Sequence, residues 1–154
     1  MTTLVGKEQD FKDVVVDLIE LEYGVIDAYQ LAAKKMFHPE YKAKMKEFLS
    51  DHQHHVDKIK EFYATRLSDL PVSGDFVKGT MAKMKVTIGD ITGSDINILK
   101  AMFDNEMDTN TAYQRIAEHP GLTGEEERVF ADAYQDEKEC KKWLETTIDS
   151  AIRH

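Results

Sequence analysis

Apolar side chains recur along this chain with the 3.5 to 3.6-residue period of an amphipathic helix, in four long runs separated by Pro- and Gly-bearing stretches. The first run extends roughly from Lys7 to Phe37 and stops at "HPE". Pro39 then suits the first turn of a second helix, where its missing N–H would have had no partner in any case. This helix is expected to reach about Leu70, where "LPVSGD" breaks it. A crossover follows, with a short helix predicted near Val77–Lys85 and turn signals in "IGDITGSD". Ser94 is placed to N-cap a third helix ending near Glu118. After "HPGLTGEE", Thr123 and Glu126 have the spacing of a capping box that opens a fourth helix to Ile152. Two short connections and one long one predict an all-α, antiparallel four-helix bundle, a single domain over 1–154 with a long crossover between helices 2 and 3.

The inward stripes share one irregularity. They read Leu18, Glu22, Val25, Tyr29, Ala32, Met36; then Met45, Phe48, His52, His55, Ile59, Phe62; then Leu99, Met102, Glu106, Thr109, Tyr113, Ile116; and last Phe130, Ala133, Glu137, Cys140, Leu144. Each is apolar except near its middle. With helices running alternately up and down, these interruptions fall at comparable heights and form one interior polar layer.

An ionised carboxylate in an apolar core has to be paired, protonated or bound to metal. Three glutamates in one layer repel one another unless something cationic lies between them, so a metal-free layer is expected to carry close to three uncompensated negative charges. Two imidazoles and a thiol beside them are transition-metal donors. The i, i+3 spacing within "HQHH" and "EKEC" sets two donors on one helical face, as chelation requires. The candidate ligands are therefore Glu22, His52, His55, Glu106, Glu137 and Cys140. A rival register, Asp51 with His54, sits one residue off the stripe; Met45, Phe48, Ile59 and Phe62 favour His52 and His55 as the inward pair. Asp51 and Asp136 then lie either on a solvated flank or against the ligands, and Tyr29 and Tyr113 are core aromatics within reach of the carboxylates.

The layer is also written twice. "EYGVIDAYQ" begins at Glu22 and "EMDTNTAYQ" at Glu106, 84 residues later, and the pairs His52/His55 and Glu137/Cys140 stand 85 apart. Each half is a hairpin with one acid on its first helix and a donor pair on its second.

In this pattern the sequence resembles the ferritin-like superfamily, and within it the rubrerythrin-like di-iron carboxylate bundles, from about Gln9 to Ile152. That family places Glu on helices one and three and Glu-x-x-His on helices two and four. Glu22, Glu106 and Glu137 match its acids and His55 its histidine; His52 stands where a Glu is usual and Cys140 where the second His is usual. The resemblance implies two irons and O2 or peroxide chemistry, as an oxidase, a peroxidase or a ferroxidase. Zinc, or another divalent pair, is the alternative cofactor. A non-catalytic bundle with one zinc or no metal, acting in stress response or as an interaction partner, is the alternative function. No Cys-x-x-Cys pair provides a rubredoxin-like electron donor.

Composition narrows the partners. A net charge of -9 argues against nucleic acid and anionic membranes, which call for clustered positive charge. No apolar run approaches the ~18 residues of a membrane span, and a single cysteine excludes an intrachain disulfide framework. A cytoplasmic homodimer is expected.

Overall fold

Four helices account for most of the described chain in this computed structural model, whose description covers residues 3, 5, 6, 10–67 and 93–153. They are α1 (Phe11–Lys35), α2 (Pro39–Tyr63), α3 (Asp95–Ala117) and α4 (Gly124–Arg153), with no strand among the described residues. The predicted short helix near Val77–Lys85 lies outside the described residues.

Local chemistry sets the helix ends. Asp10 accepts a hydrogen bond from the Lys12 N–H at 3.0 Å, so α1 begins at Phe11, later than the expected Lys7. It closes at Lys35 because Met36 and the pre-proline His38 are both extended. Pro39 occupies the first turn of α2. This helix ends at Tyr63, short of the expected Leu70. There the N–H groups of Arg66 and Leu67 both turn back to the Tyr63 carbonyl, at 3.1 and 2.9 Å, and wind the chain out of the helix. Ser94 caps α3 through the Asn97 N–H. Thr123 and Glu126 make the expected reciprocal box before α4: Glu126 N–H donates to Thr123 Oγ1 at 3.4 Å and Thr123 N–H to Glu126 Oε1 at 3.2 Å.

The helices pack in a ring: α1 along α2, α3 along α4, α1 also against α3, and α2 against α4. Asp95, at the start of α3, accepts the N–H groups of Phe37 and His38, which join α1 to α2. The first residues of α2 and α3 are thus at one end, and these two helices run in the same direction. The order is up, down, down, up, not strict alternation; the long connection between α2 and α3 permits it. Among the described residues no helix is long and apolar enough to cross a membrane.

Two apolar clusters fill the bundle. One contains Leu18, Ile59, Tyr63, Tyr113, Ile116 and Phe130; the other contains Val25, Met45, Phe48, Leu99, Met102 and Leu144. Stripe positions between these sets carry Glu22, His52, His55, Glu106 and Glu137, so the polar layer lies mid-bundle with an apolar plug on either side.

A candidate metal centre between two apolar clusters

All six residues singled out from the stripes come together in the interior. Glu22, His52, Glu106 and Glu137 are fully buried, and His55 and Cys140 nearly so. Helix α2 has the register favoured by its apolar stripe: His52 and His55 point inward, His54 is exposed and Asp51 is half-buried on the flank.

His52 is central. Its Nδ1 lies 2.8 Å from Glu22 Oε1 and 3.2 Å from Glu137 Oε1, and its Nε2 lies 2.7 Å from Glu106 Oε1. His55 Nδ1 lies 3.1 Å from Glu137 Oε1 and 3.4 Å from Glu22 Oε2, and its Nε2 lies 3.0 Å from Asp136 Oδ2. The tyrosines cross over between the halves. Tyr29 of α1 donates to Glu106 of α3, and Tyr113 of α3 donates to Glu22 of α1 at 3.2 Å. The Tyr29 ring also stacks on His52, with centroids 5.2 Å apart and planes 28° apart.

The expected triple negative charge is not what the layer carries. Every ring nitrogen of the two histidines faces a carboxylate oxygen, an arrangement satisfied by imidazolium, which donates from both nitrogens. Burial works against charge on these rings, but the surrounding carboxylates outweigh it. Glu137 leads at His52, whose pKa stands well above the ordinary value, and hydrogen bonds to Glu137 and Glu22 lift His55 to about 11. Burial likewise pushes Glu22 up, yet His52 and His55 bring it down to about 2; the same two rings hold Glu137 below its usual value against burial and Glu22. Glu106 is the third acid beside two cations. Burial and Glu137 raise it to about 7, with His52 opposing. Burial, then Glu106, raises the Cys140 thiol far above its normal range, so it is protonated. Two imidazolium ions thus neutralise two carboxylates, and the third acid holds a proton until near neutrality.

These donors meet the first requirement of a metal site. One atom each from Glu22, His52, His55 and Glu137 lie within 4.8 Å of one another, and so do one each from His52, Glu106 and Cys140. Nitrogen, oxygen and sulfur donors on rigid helices fit a divalent transition metal. Because the same atoms now share protons, a metal would enter in exchange for them. Asp136 lies on the outer nitrogen of His55, where a carboxylate would orient the imidazole for ligation. A cleft of about 260 Å³ between α2 and α4, lined by His54, His55, Asp132 and Asp136 among others, leads from solvent to that pair. A larger cavity of about 730 Å³ opens between α1 and α2 and includes none of the site residues.

Two supporting residues had no role in the sequence reading. Thr109 Oγ1 lies 3.2 Å from Glu106 Oε2 and 2.9 Å from Glu137 Oε2, clamping the acids of α3 and α4. Asn110 Nδ2 donates to the carbonyls of Glu106 and Glu137 at 2.6 and 3.1 Å, tying the two backbones at the same height. A polar pair inside an otherwise buried run was their signal. Asp51 does not replace Asp136; burial and that neighbour raise its pKa.

A family model described as "Domain of unknown function (DUF2383)" matches residues 10–119, and the chain belongs to that family. The match includes Glu22, His52, His55 and Glu106, while Glu137 and Cys140 lie beyond it. The crystal structure of a conserved hypothetical protein, Rv2844, from Mycobacterium tuberculosis is similar in fold. The TM-score is 0.72 at 15% identity, covering 91% of this chain and 98% of that one. No curated protein matches the sequence.

Proposed function

We propose that this DUF2383 member is a metal-binding bundle whose buried layer takes two divalent transition-metal ions. One observation carries the reading: two sets of converging donors, all buried, meet between two apolar clusters. Glu22, Glu137 and His55 would serve one ion, Glu106 and Cys140 the other, with His52 within reach of both. A pair of ions would supply Lewis acidity and, if redox-active, electrons for O2 or peroxide, the chemistry that the ferritin-like resemblance implies. The chain's own part is to fix the ligands, exclude bulk water through the apolar plugs, and hold protons at His52, His55 and Cys140 until metal replaces them. Iron follows from the resemblance, whereas a thiol and imidazole donor set suits zinc equally well.

The test is metal content per chain after purification without chelator, with thermal shifts on adding Zn(II), Co(II) or anaerobic Fe(II). About two ions per chain supports the reading. No bound metal and no shift with any of the three refutes it.

A second reading has its own observation. All six carboxylate oxygens of Glu22, Glu106 and Glu137 already have protein partners within 3.4 Å. A layer so satisfied can serve as a structural polar core, and the bundle would then act as a non-catalytic interaction partner.

A further inference from the structure

The two donor sets have one member in common, and its ring faces both. His52 Nδ1 addresses Glu22 and Glu137 at 2.8 and 3.2 Å, while Nε2, on the other side of the ring, addresses Glu106 at 2.7 Å. A planar imidazole cannot turn both nitrogens to one ion. His55 is different: Nδ1 faces the interior, but Nε2 is taken by Asp136, so it is an ordinary one-nitrogen ligand. The ring of His52 is also prevented from rotating. It is fully buried, stacked on Tyr29, and Tyr29 is itself held by Glu106.

Resting on the dimetal reading, the geometry points to His52 as an imidazolate bridge, with Nδ1 on one ion and Nε2 on the other. The first ion takes Glu22, Glu137, His55 Nδ1 and His52 Nδ1, a closed set of four. The second takes Glu106, Cys140 and His52 Nε2, a set of three that leaves a position for water or an exogenous ligand. Loading releases both ring protons of His52, the Nδ1 proton of His55, the Cys140 thiol proton and whatever proton Glu106 retains. Charge nearly cancels: three carboxylates, a thiolate and an imidazolate bring five negative charges against four positive ones from two divalent ions, a net of minus one. The bridge assigns a reason to the histidine at position 52. It gives the centre a bridging ligand of nitrogen, with the carboxylates left for terminal use.

The probe is cadmium-113, a zinc-like nucleus with spin one-half, added to full-length protein carrying nitrogen-15 in its histidine rings. The expected result is two cadmium ions per chain, with both His52 nitrogens split by one-bond coupling to different cadmium nuclei. Cys140→Ser with Glu106→Gln should lower the count from two to one, return a proton to Nε2 and leave the Nδ1 coupling in place. Two bound ions with a proton still on either His52 nitrogen would overturn the bridge, as would a single ion in the wild-type chain. The first outcome leaves the dimetal reading standing, whereas a single ion overturns that reading together with the bridge. If cadmium, zinc, cobalt and ferrous iron all fail to bind, the dimetal reading falls and the bridge with it.

Discussion

Metal-free protein should lose stability as pH rises through neutrality, and steeply. His52 and His55 are charged in the fold well above the ordinary histidine value of 6.5, His55 to about 11. For a group whose pKa is raised by folding, the stabilisation is complete below the unfolded pKa and is lost as pH climbs toward the folded one. Each proton kept by the fold but released by the unfolded chain costs about 1.4 kcal/mol per pH unit, so two kept protons cost about 2.7 kcal/mol per unit above pH 7. Glu106, raised from 4.5 to about 7, adds one such proton between those two values. Glu22, lowered to about 2, acts oppositely: its contribution is present above 4.5 and lost as pH falls through about 2. The maximum should therefore lie near pH 5. For a domain of this size the alkaline slope corresponds to a Tm falling by about 5–10 °C per pH unit. The assay is thermal and urea unfolding of chelator-treated protein at pH 5, 6, 7, 8 and 9, repeated with saturating zinc. Zinc should abolish the fall, because the bound form has already given up those protons. A flat metal-free profile between pH 7 and 9 would refute the imidazolium assignment, because it would mean that the fold keeps no protons that the unfolded chain releases.

Three shorter expectations follow from particular contacts. Glu22→Gln with Glu106→Gln removes one acidic acceptor from each side of His52 and leaves Glu137 at 3.2 Å; it should destabilise the metal-free protein by about 3–5 kcal/mol and abolish any thermal shift with zinc, and a neutral or stabilising result would refute the charge pairing. Asp136→Asn should weaken zinc binding by about 10- to 100-fold in calorimetry, whereas exposed His54→Ala should leave it unchanged; equal effects would mean that Asp136 does not orient His55. Gly6 has φ +96°, and an added Cβ would lie 2.6 Å from the Cβ of Arg115, whose guanidinium holds the carbonyls of Thr3 and Val5. Gly6→Ala should therefore cost about 1–3 kcal/mol in urea unfolding, and an unchanged midpoint would show that the strain is absent.

The interior layer was legible because helical period alone decides which residues face inward. Every stripe position around Glu22, His52, Glu106 and Glu137 carries apolar neighbours at i±3 or i±4, and burial follows that pattern down to His55 over His54. Caps were legible for the same local reason, as at Ser94 and Thr123. Helix direction was not. That α2 and α3 run in parallel depends on Asp95 reaching the α1–α2 joint, a contact between residues 57 and 58 apart in sequence. Pairing within the layer was equally hidden, since the period puts Tyr29 on the inner face but cannot say that its hydroxyl meets Glu106 and not Glu22. The end of α2 turns on Arg66 and Leu67 sharing one carbonyl, for which composition gives no signal.

The duplicated phrase takes on a physical meaning once the partners are known. Glu22 and Glu106 stand at matching positions in the two halves, and each accepts from the tyrosine of the other half, Tyr113 and Tyr29 respectively. The donor pairs on the second helices break that symmetry: His52 and His55 can be cations, whereas Glu137 is an anion and Cys140 a neutral thiol. The first half therefore supplies the positive charge that the acids of both halves require. A symmetric set with Glu-x-x-His on both α2 and α4 would place four glutamates beside two histidines, and their repulsion could be relieved only by metal or by several bound protons. Replacing one glutamate by His52 and one histidine by Cys140 lets the layer approach neutrality by itself. On the metal-binding proposal, uptake would exchange protons for ions and would not rescue an unstable core, so affinity should rise with pH while the fold persists on either side of the exchange.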